Sequence, residues 1–167
     1  MRIPLGIVVL GLTVFWVWAL FFPPTKQSVA KVSDEAWPER AEAICMAANQ
    51  ERDQLADLRR VSEAGPSALE QRAEIIDTAT TIVETMIDDV MSVPLADPED
   101  QSLAETWASL YRILIDDRRL YTDELRGGKN GPFAESAVEG SPISDYINDF
   151  TVANRMKSCS APLDLAV

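Results

Sequence analysis

Residues 97–127, DPEDQSLAETWASLYRILIDDRRLYTDELRG, decide the fold. Their apolar residues recur every three or four positions, which is the spacing of one face of an α-helix. Asp97 is predicted to cap this helix, Pro98 suits its first turn, and Gly127 is predicted to end it in a left-handed conformation. The predicted core face consists of Leu103, Trp107, Leu110, Leu114, Tyr121 and Leu125.

Three further helical segments surround this one along the chain. Two precede it, at about residues 38–64 and 67–93, and Gly65-Pro66 separates them. The β-branched residues of the second segment are typical of a strand, but its 3.6-residue period over more than twenty residues favours a helix. A loop at residues 127–140 leads to the last helix, predicted at residues 141–157.

The predicted fold class is therefore all-α. Four amphipathic helices with short connections predict an up-down-up-down four-helix bundle, which we place at residues 38–160. Residues 23–37 are predicted to be a linker and residues 161–167 a C-terminal tail.

The N-terminus predicts a membrane anchor. Residues 3–22 read IPLGIVVLGLTVFWVWALFF and carry no charge. A helix of this length spans about 30 Å, the thickness of the hydrocarbon core of a bilayer. Pro23-Pro24 is predicted to end it. A cleaved signal peptide is the alternative, but the apolar run is longer than the usual core of such a peptide.

The predicted topology is a single-pass cell-membrane protein with residues 1–2 in the cytoplasm and the C-terminal domain outside it. Arg2 precedes the apolar run while Lys26 and Lys31 follow it, so the positive-inside rule barely discriminates. A two-residue head, which is what a signal-anchor leaves in the cytoplasm, and a predicted disulfide favour this orientation.

Charge and composition exclude several functions. All 27 acidic residues, and all but one of the 15 basic residues, follow position 24. So acidic a surface repels phosphate backbones, which argues against a nucleic-acid partner. The chain contains no histidine, which excludes Ser-His-Asp and Cys-His catalysis and histidine-containing zinc and haem sites.

The two cysteines, Cys45 and Cys159, are predicted to form a disulfide. In an antiparallel bundle, the start of the first helix and the end of the fourth lie at the same end. Disulfides persist in oxidising compartments, which agrees with an extracytoplasmic domain. The alternative is two free thiols, with Cys45 a small core residue.

The segment around Cys159 contains Ser158-Cys159-Ser160-Ala161-Pro162. This late Ser-Cys-x-x-Pro motif, together with the general layout, resembles single-pass membrane-anchored helical proteins of actinobacterial type. The resemblance supports an anchor followed by a helical domain. No activity is attached to that group, so the resemblance implies no functional residues.

Polar residues interrupt the apolar stripes of the predicted helices. The candidates for buried polar positions are Glu51, Arg72, Asp117, Arg118 and Asn154. A buried charge is costly unless it is paired, so we expect Arg118 to contact a carboxylate or lie at the edge of the core. Arg72 is a possible partner for Asp117. A pair that fixes helix register is the favoured interpretation, and a ligand-lining role and plain exposure are the alternatives.

Carboxylates are the only abundant reactive groups. Those at positions 84, 88, 89, 97, 99 and 100 are candidates for a Ca²⁺ site, but charges near a helix N-terminus also stabilise the helix, and no EF-hand spacing is present. Among 27 acidic residues some pair is inevitable, so a pair alone does not indicate a glycosidase. We assign no catalytic, cofactor-binding or metal-binding residue and expect no cofactor.

The expected function is therefore non-enzymatic. The sequence favours an interaction or accessory subunit in the cell envelope, with the bilayer contacted through residues 3–22 and an envelope protein as partner. A module that binds a small ligand or lipid is the second hypothesis. A carboxylate-dependent enzyme is the third.

Overall fold

The computed structural model describes residues 11–12, 15–16, 31–55 and 66–165, and most of these residues are helical. Four helices of eleven residues or more lie in these ranges: α1 Ala36–Asp53, α2 Pro66–Ser92, α3 Pro98–Arg126 and α4 Ile143–Ala153. A two-residue antiparallel hairpin, β1 Ala137–Val138 and β2 Ser141–Pro142, precedes α4, and a 3₁₀ turn at Lys157–Cys159 follows it. The predicted helical fold class is confirmed for this part of the chain, although the sequence did not predict the hairpin.

The predicted anchor lies almost entirely outside the described residues, since only positions 11, 12, 15 and 16 of residues 3–22 are included. Within the part of the chain that the structure describes, no helix combines the length and the apolar character needed to cross a membrane.

The N-terminus of α3 is the one that the sequence predicted. The Asp97 carboxylate accepts hydrogen bonds from the amides of Glu99 and Asp100 at 2.7 and 3.4 Å, and Pro98 occupies the first turn. These contacts satisfy amide groups that have no partner inside the helix.

The C-terminus of α3 differs by one residue from the prediction. Gly127 has φ −72°, and Gly128 takes the left-handed conformation with φ +82°. The amide of Gly128 donates to the carbonyl of Leu125, and the amide of Lys129 donates to that of Glu124. These two bonds form a Schellman motif, in which the left-handed residue comes directly after the C-cap residue.

The helices pack in chain order, α1 on α2, α2 on α3, and α3 on α4. Helices α2 and α3 run antiparallel, because Arg126 at the end of α3 contacts Glu70 near the start of α2 while Arg119 contacts Glu84. The ring closes through the 3₁₀ turn, which contacts both α4 and α1.

The first and last helices are shorter than predicted. Helix α1 ends at Asp53 instead of about residue 64, and residues 56–65 lie outside the described ranges. Helix α4 ends at Ala153 instead of about residue 157, because Arg155 has a left-handed φ of 60° and turns the chain towards α1. The segment after α4 therefore packs on the bundle where the prediction placed the last turn of a longer helix.

The main core lies between these helices and is aromatic at its centre. The Trp107 ring stacks on Phe150 with centroids 5.3 Å apart and meets Tyr111 edge-on at 5.2 Å. A smaller apolar cluster lies near the start of α2 and the end of α3. It consists of Ala73, Ile76, Tyr121, Leu125 and Leu165.

Parts of the predicted linker and of the predicted C-terminal tail pack on the domain. Val32, assigned to the linker, is 2% exposed, and its amide donates to the side-chain oxygen of Asn154 at 2.9 Å. Ala161 and Leu165, assigned to the tail, are also buried. The folded domain therefore reaches at least from residue 32 to residue 165, because residues at both ends of this range find partners in the core.

Candidate functional site

Arg118 is a charged residue buried in the domain, with 1% of its surface exposed. Its guanidinium donates to the Thr80 hydroxyl at 2.9 Å and to both carboxylate oxygens of Asp164 at 2.8 and 2.9 Å. Burial acts to raise the pKa of Asp164, but the hydrogen bonds and charge of Arg118 outweigh it and lower that pKa. The expected carboxylate partner therefore exists, and its role is to fix the C-terminal segment on α2 and α3.

Asp117 does not pair with Arg72, contrary to the suggested pairing. Its carboxylate accepts from the amide and hydroxyl of Ser136 at 2.7 and 2.8 Å, so it holds the loop between α3 and α4. Arg72 is half-buried on α2. Asp117 faces the loop instead, because Ser136 folds back over α3.

Asn154 and Asp100 together hold the N-terminal segment. Asn154 is buried and accepts from Val32, while its amide group donates to the carbonyl of Phe150 at 2.9 Å. The Asp100 carboxylate accepts from the amide and hydroxyl of Ser33 and from the amide of Asp34, at 2.8, 2.7 and 3.1 Å. Burial acts to raise the pKa of Asp100, but these hydrogen bonds lower it below its usual value.

Cys45 and Cys159 form the predicted disulfide, with their Cα atoms 5.1 Å apart and 114 positions between them in sequence. The surrounding polar groups hold the same segment: Glu42 accepts from the amide and hydroxyl of Ser158, and Tyr111 donates its hydroxyl to the carbonyl of Cys159. Burial raises the pKa of Tyr111, so its hydroxyl stays protonated as a donor. The bond is a structural connection between the C-terminal segment and α1.

Three of the six carboxylates considered for Ca²⁺ make separate contacts. Glu84 contacts Arg119, Asp97 caps α3, and Asp100 binds the N-terminal segment. Within the described ranges, no group of three or more acidic or cysteine side chains has an arrangement that could hold a metal ion.

Glu51, a candidate buried polar residue, is exposed and lies at the rim of an open groove between α1 and α2. The groove has a volume of about 410 Å³ and opens to solvent. Its floor is formed by Ile44, Ala48, Ile82 and Met86.

Short side chains create this groove. Ala47 and Ala48 on α1 face Thr81 and Thr85 on α2, so the two helices are close enough to pack but leave their outer seam unfilled. Asp89 is the second carboxylate of the lining, and the lining contains no lysine or arginine among the described residues. The result is a shallow apolar surface with a polar, acidic rim.

The two carboxylates lie at opposite ends of the groove. Trp37 at the start of α1 donates its indole N–H to the carbonyl of Val93, just after α2, so these helices are antiparallel. Asp89 therefore lies near Ile44, and Glu51 lies near Thr81. Ile44 and Glu51 are seven residues apart, about 10 Å along the helix.

The sequence did not predict this groove. The helical pattern placed Ala48 on a core stripe and Glu51 among possible buried polar residues. The usable signal was the run of short side chains, Ala47-Ala48 on one helix and Thr81 and Thr85 on its neighbour, where large apolar residues would have filled the seam.

No family model, no curated protein and no solved structure matches this chain at a significant level.

Proposed function

We propose that this chain is a membrane-anchored, extracytoplasmic helical bundle of up-down-up-down order that binds a segment of another envelope protein between α1 and α2. The observation that carries the proposal is the open groove, which has an apolar floor and a polar rim. Interfaces of this kind bury a small apolar centre and leave polar groups at the margin.

The proposed anchor is supported by the uncharged run at residues 3–22. Leu12, Phe15 and Trp16 are each more than half exposed, so the folded domain does not cover these large apolar side chains. A bilayer would cover them. The Cys45–Cys159 bond supports the extracytoplasmic side, since disulfides persist in oxidising compartments.

A small apolar ligand or lipid is the second candidate occupant, because the groove volume falls within the range of small-molecule pockets. Such pockets usually bury most of the ligand surface. An open groove covers less of its occupant, which favours a polypeptide that carries its own polar outer face.

An enzymatic role has less support. A general acid at neutral pH needs a carboxyl group whose pKa is raised. Among the described carboxyl groups, the pKa departs from its ordinary value at Asp100 and Asp164. It is lowered at both, and both carboxylates hold backbone segments in place.

A crosslinking pull-down with a matched pair of variants tests the proposal. Ala47→Trp fills the groove from an exposed position, whereas Ser102→Trp adds the same ring to an exposed position on α3 outside the groove. The source is a membrane pellet washed with alkaline carbonate, in which we expect the full chain to remain.

The expected result is a crosslinked protein recovered with the wild type and Ser102→Trp and lost with Ala47→Trp, at unchanged thermal stability. Recovery of the same protein with all three chains contradicts binding in the groove, as does recovery of none above background. Release of the chain by carbonate contradicts the anchor.

A further inference from the structure

The charge of the groove specifies the chemistry of its occupant. Glu51 and Asp89 contribute two carboxylates, and neither forms an ion pair with a basic residue of the described ranges. Three other carboxylates on α2 are paired, Glu70 and Asp77 with Arg126 and Glu84 with Arg119. The groove is thus a place where α2 presents negative charge without a counter-ion from the described part of the chain.

The length of the groove adds a geometric constraint. Its lining runs from Ile44 to Glu51 on α1 and from Thr81 to Asp89 on α2, so the two carboxylates end a groove about 10–12 Å long, or two turns of a helix. An amphipathic helix laid in such a groove contacts it through residues at positions i, i+3, i+4 and i+7. Its central apolar residues would cover Ile82 and Met86, and its first and last contacting residues would lie beside the carboxylates.

From this arrangement we infer that the groove binds a short amphipathic helix carrying a lysine or arginine at each end of a central apolar pair, the two basic residues about seven positions apart. The inference rests on the proposed function and names the chemistry of the partner. A lipid, a small organic cation and a second copy of this chain are the alternatives that the test distinguishes.

A second copy has little to offer the groove. The large apolar residues exposed on the described surface of the domain include Ile113, Leu120 and Val152. Ile113 and Leu120 lie seven positions apart on one face of α3, and the residues near them include Asp116 and Asp117 as well as Arg112 and Arg119. This face has mixed charge with an acidic centre, so it does not match an acidic groove.

The test uses the full chain in nanodiscs of zwitterionic lipid and a fluorescent synthetic helical peptide of about fourteen residues, with two lysines about seven positions apart around two leucines. Matched peptides carry glutamates in place of the lysines, or the same composition in an order without an apolar face. Fluorescence anisotropy gives the affinity, and empty nanodiscs give the background due to lipid.

Two charge-reversal variants provide the control on the protein side. Glu51→Lys/Asp89→Lys reverses the charge of the groove, whereas Glu105→Lys/Asp116→Lys makes the same change in net charge at exposed positions of α3. We expect the groove reversal to weaken binding of the lysine peptide at least about fivefold relative to the α3 reversal, because it replaces attraction between opposite charges by repulsion between like charges. The difference should shrink at about 0.3 M salt.

Six outcomes overturn the inference. Four are no binding of the lysine peptide above empty nanodiscs, equal binding of the glutamate peptide, equal binding of the peptide without an apolar face, and equal effects of the two reversals. The other two are a lysine peptide that only added lipid displaces, and a chain that self-associates through the groove. The pull-down with Ala47→Trp is independent of these results, so the groove can be confirmed as a binding site while its basic partner is rejected.

Discussion

At the scale of single residues, Arg118, Asp100 and Asn154 are buried polar groups that hold chain segments in place. Arg118 holds the C-terminal segment through Asp164, and Asp100 holds the N-terminal segment through Ser33. The sequence predicted that Arg118 needed a carboxylate, because a buried unpaired charge is costly. It did not identify Asp164, since that residue lies 46 positions away in a segment interpreted as a tail.

Asp164→Ala tests the Arg118 pair. Removing the carboxylate leaves a buried guanidinium with only Thr80 as partner, and we expect the free energy of unfolding to fall by about 1–2 kcal/mol, reduced from the value for a fully buried pair because Asp164 is 30% exposed. Urea unfolding gives the measurement. Asp116→Ala, at an exposed position on α3, is the control and should change stability little; equal effects of the two variants would contradict the account.

The lowered pKa of Asp100 predicts that the stability of the domain depends on pH. Its pKa is lower in the folded chain than its ordinary value of 3.8, so its contribution to stability is complete above that value and is lost as the pH falls through the lower folded value. We expect Asp100→Asn to be less stable than the wild type at pH 7 and the difference to shrink below about pH 4. Urea unfolding across this range measures it. A difference that stays constant with pH would show that the ionised carboxylate is not what holds Ser33.

At the scale of elements, local sequence patterns predicted where the helices begin and how far α2 and α3 extend. They did not predict where α1 and α4 end. The start of α3 is encoded by Asp97-Pro98 itself. The shortening of α4 depends on Asn154 and on the contact of the following segment with α1, which are tertiary effects that periodicity does not show.

Gly128→Ala tests the C-terminus of α3. Gly128 has φ +82°, where an added Cβ is strained, so we expect a loss of about 1 kcal/mol in thermal or urea unfolding. Gly131 lies in the same loop without a positive φ, and no atom outside its immediate chain neighbours lies within 4 Å of where a Cβ would be added. Gly131→Ala is therefore the matched control and should be close to neutral. A larger loss for Gly131→Ala would contradict this assignment of the left-handed residue.

The disulfide stabilises the attachment of the C-terminal segment to α1. A bond that closes 114 positions restricts the unfolded chain, and the chain-entropy model gives an upper figure of about 4–5 kcal/mol. We expect Cys45→Ala/Cys159→Ala to lower the free energy of unfolding by about 2–5 kcal/mol. Mass spectrometry after alkylation should find two reactive thiols only after reduction. Two reactive thiols in the untreated protein would contradict the bond and weaken the argument for the extracytoplasmic side.

At the scale of the whole molecule, the docked N-terminal segment gives the domain a polarity relative to the proposed anchor. The chain enters at Val32, beside Asn154 and Asp100, where α1 and α3 begin and α4 ends. Residues 23–31 span at most about 30 Å, so in the proposed topology this end is tethered within that distance of the membrane. Leu165 packs beside Leu125 at the opposite end, because the segment after Cys159 runs along the bundle.

The groove lies along the side of this bundle, and whether it binds a polypeptide is the central question. The most direct measurement is photocrosslinking in native membranes from a crosslinker placed at Thr85 in the groove, with Ser102 on α3 as the control position. We expect mass spectrometry to find a peptide of another envelope protein joined to Thr85, absent from Ser102 and lost when Ala47→Trp fills the groove. The same adducts at both positions, or no polypeptide adduct specific to Thr85, would contradict binding in the groove.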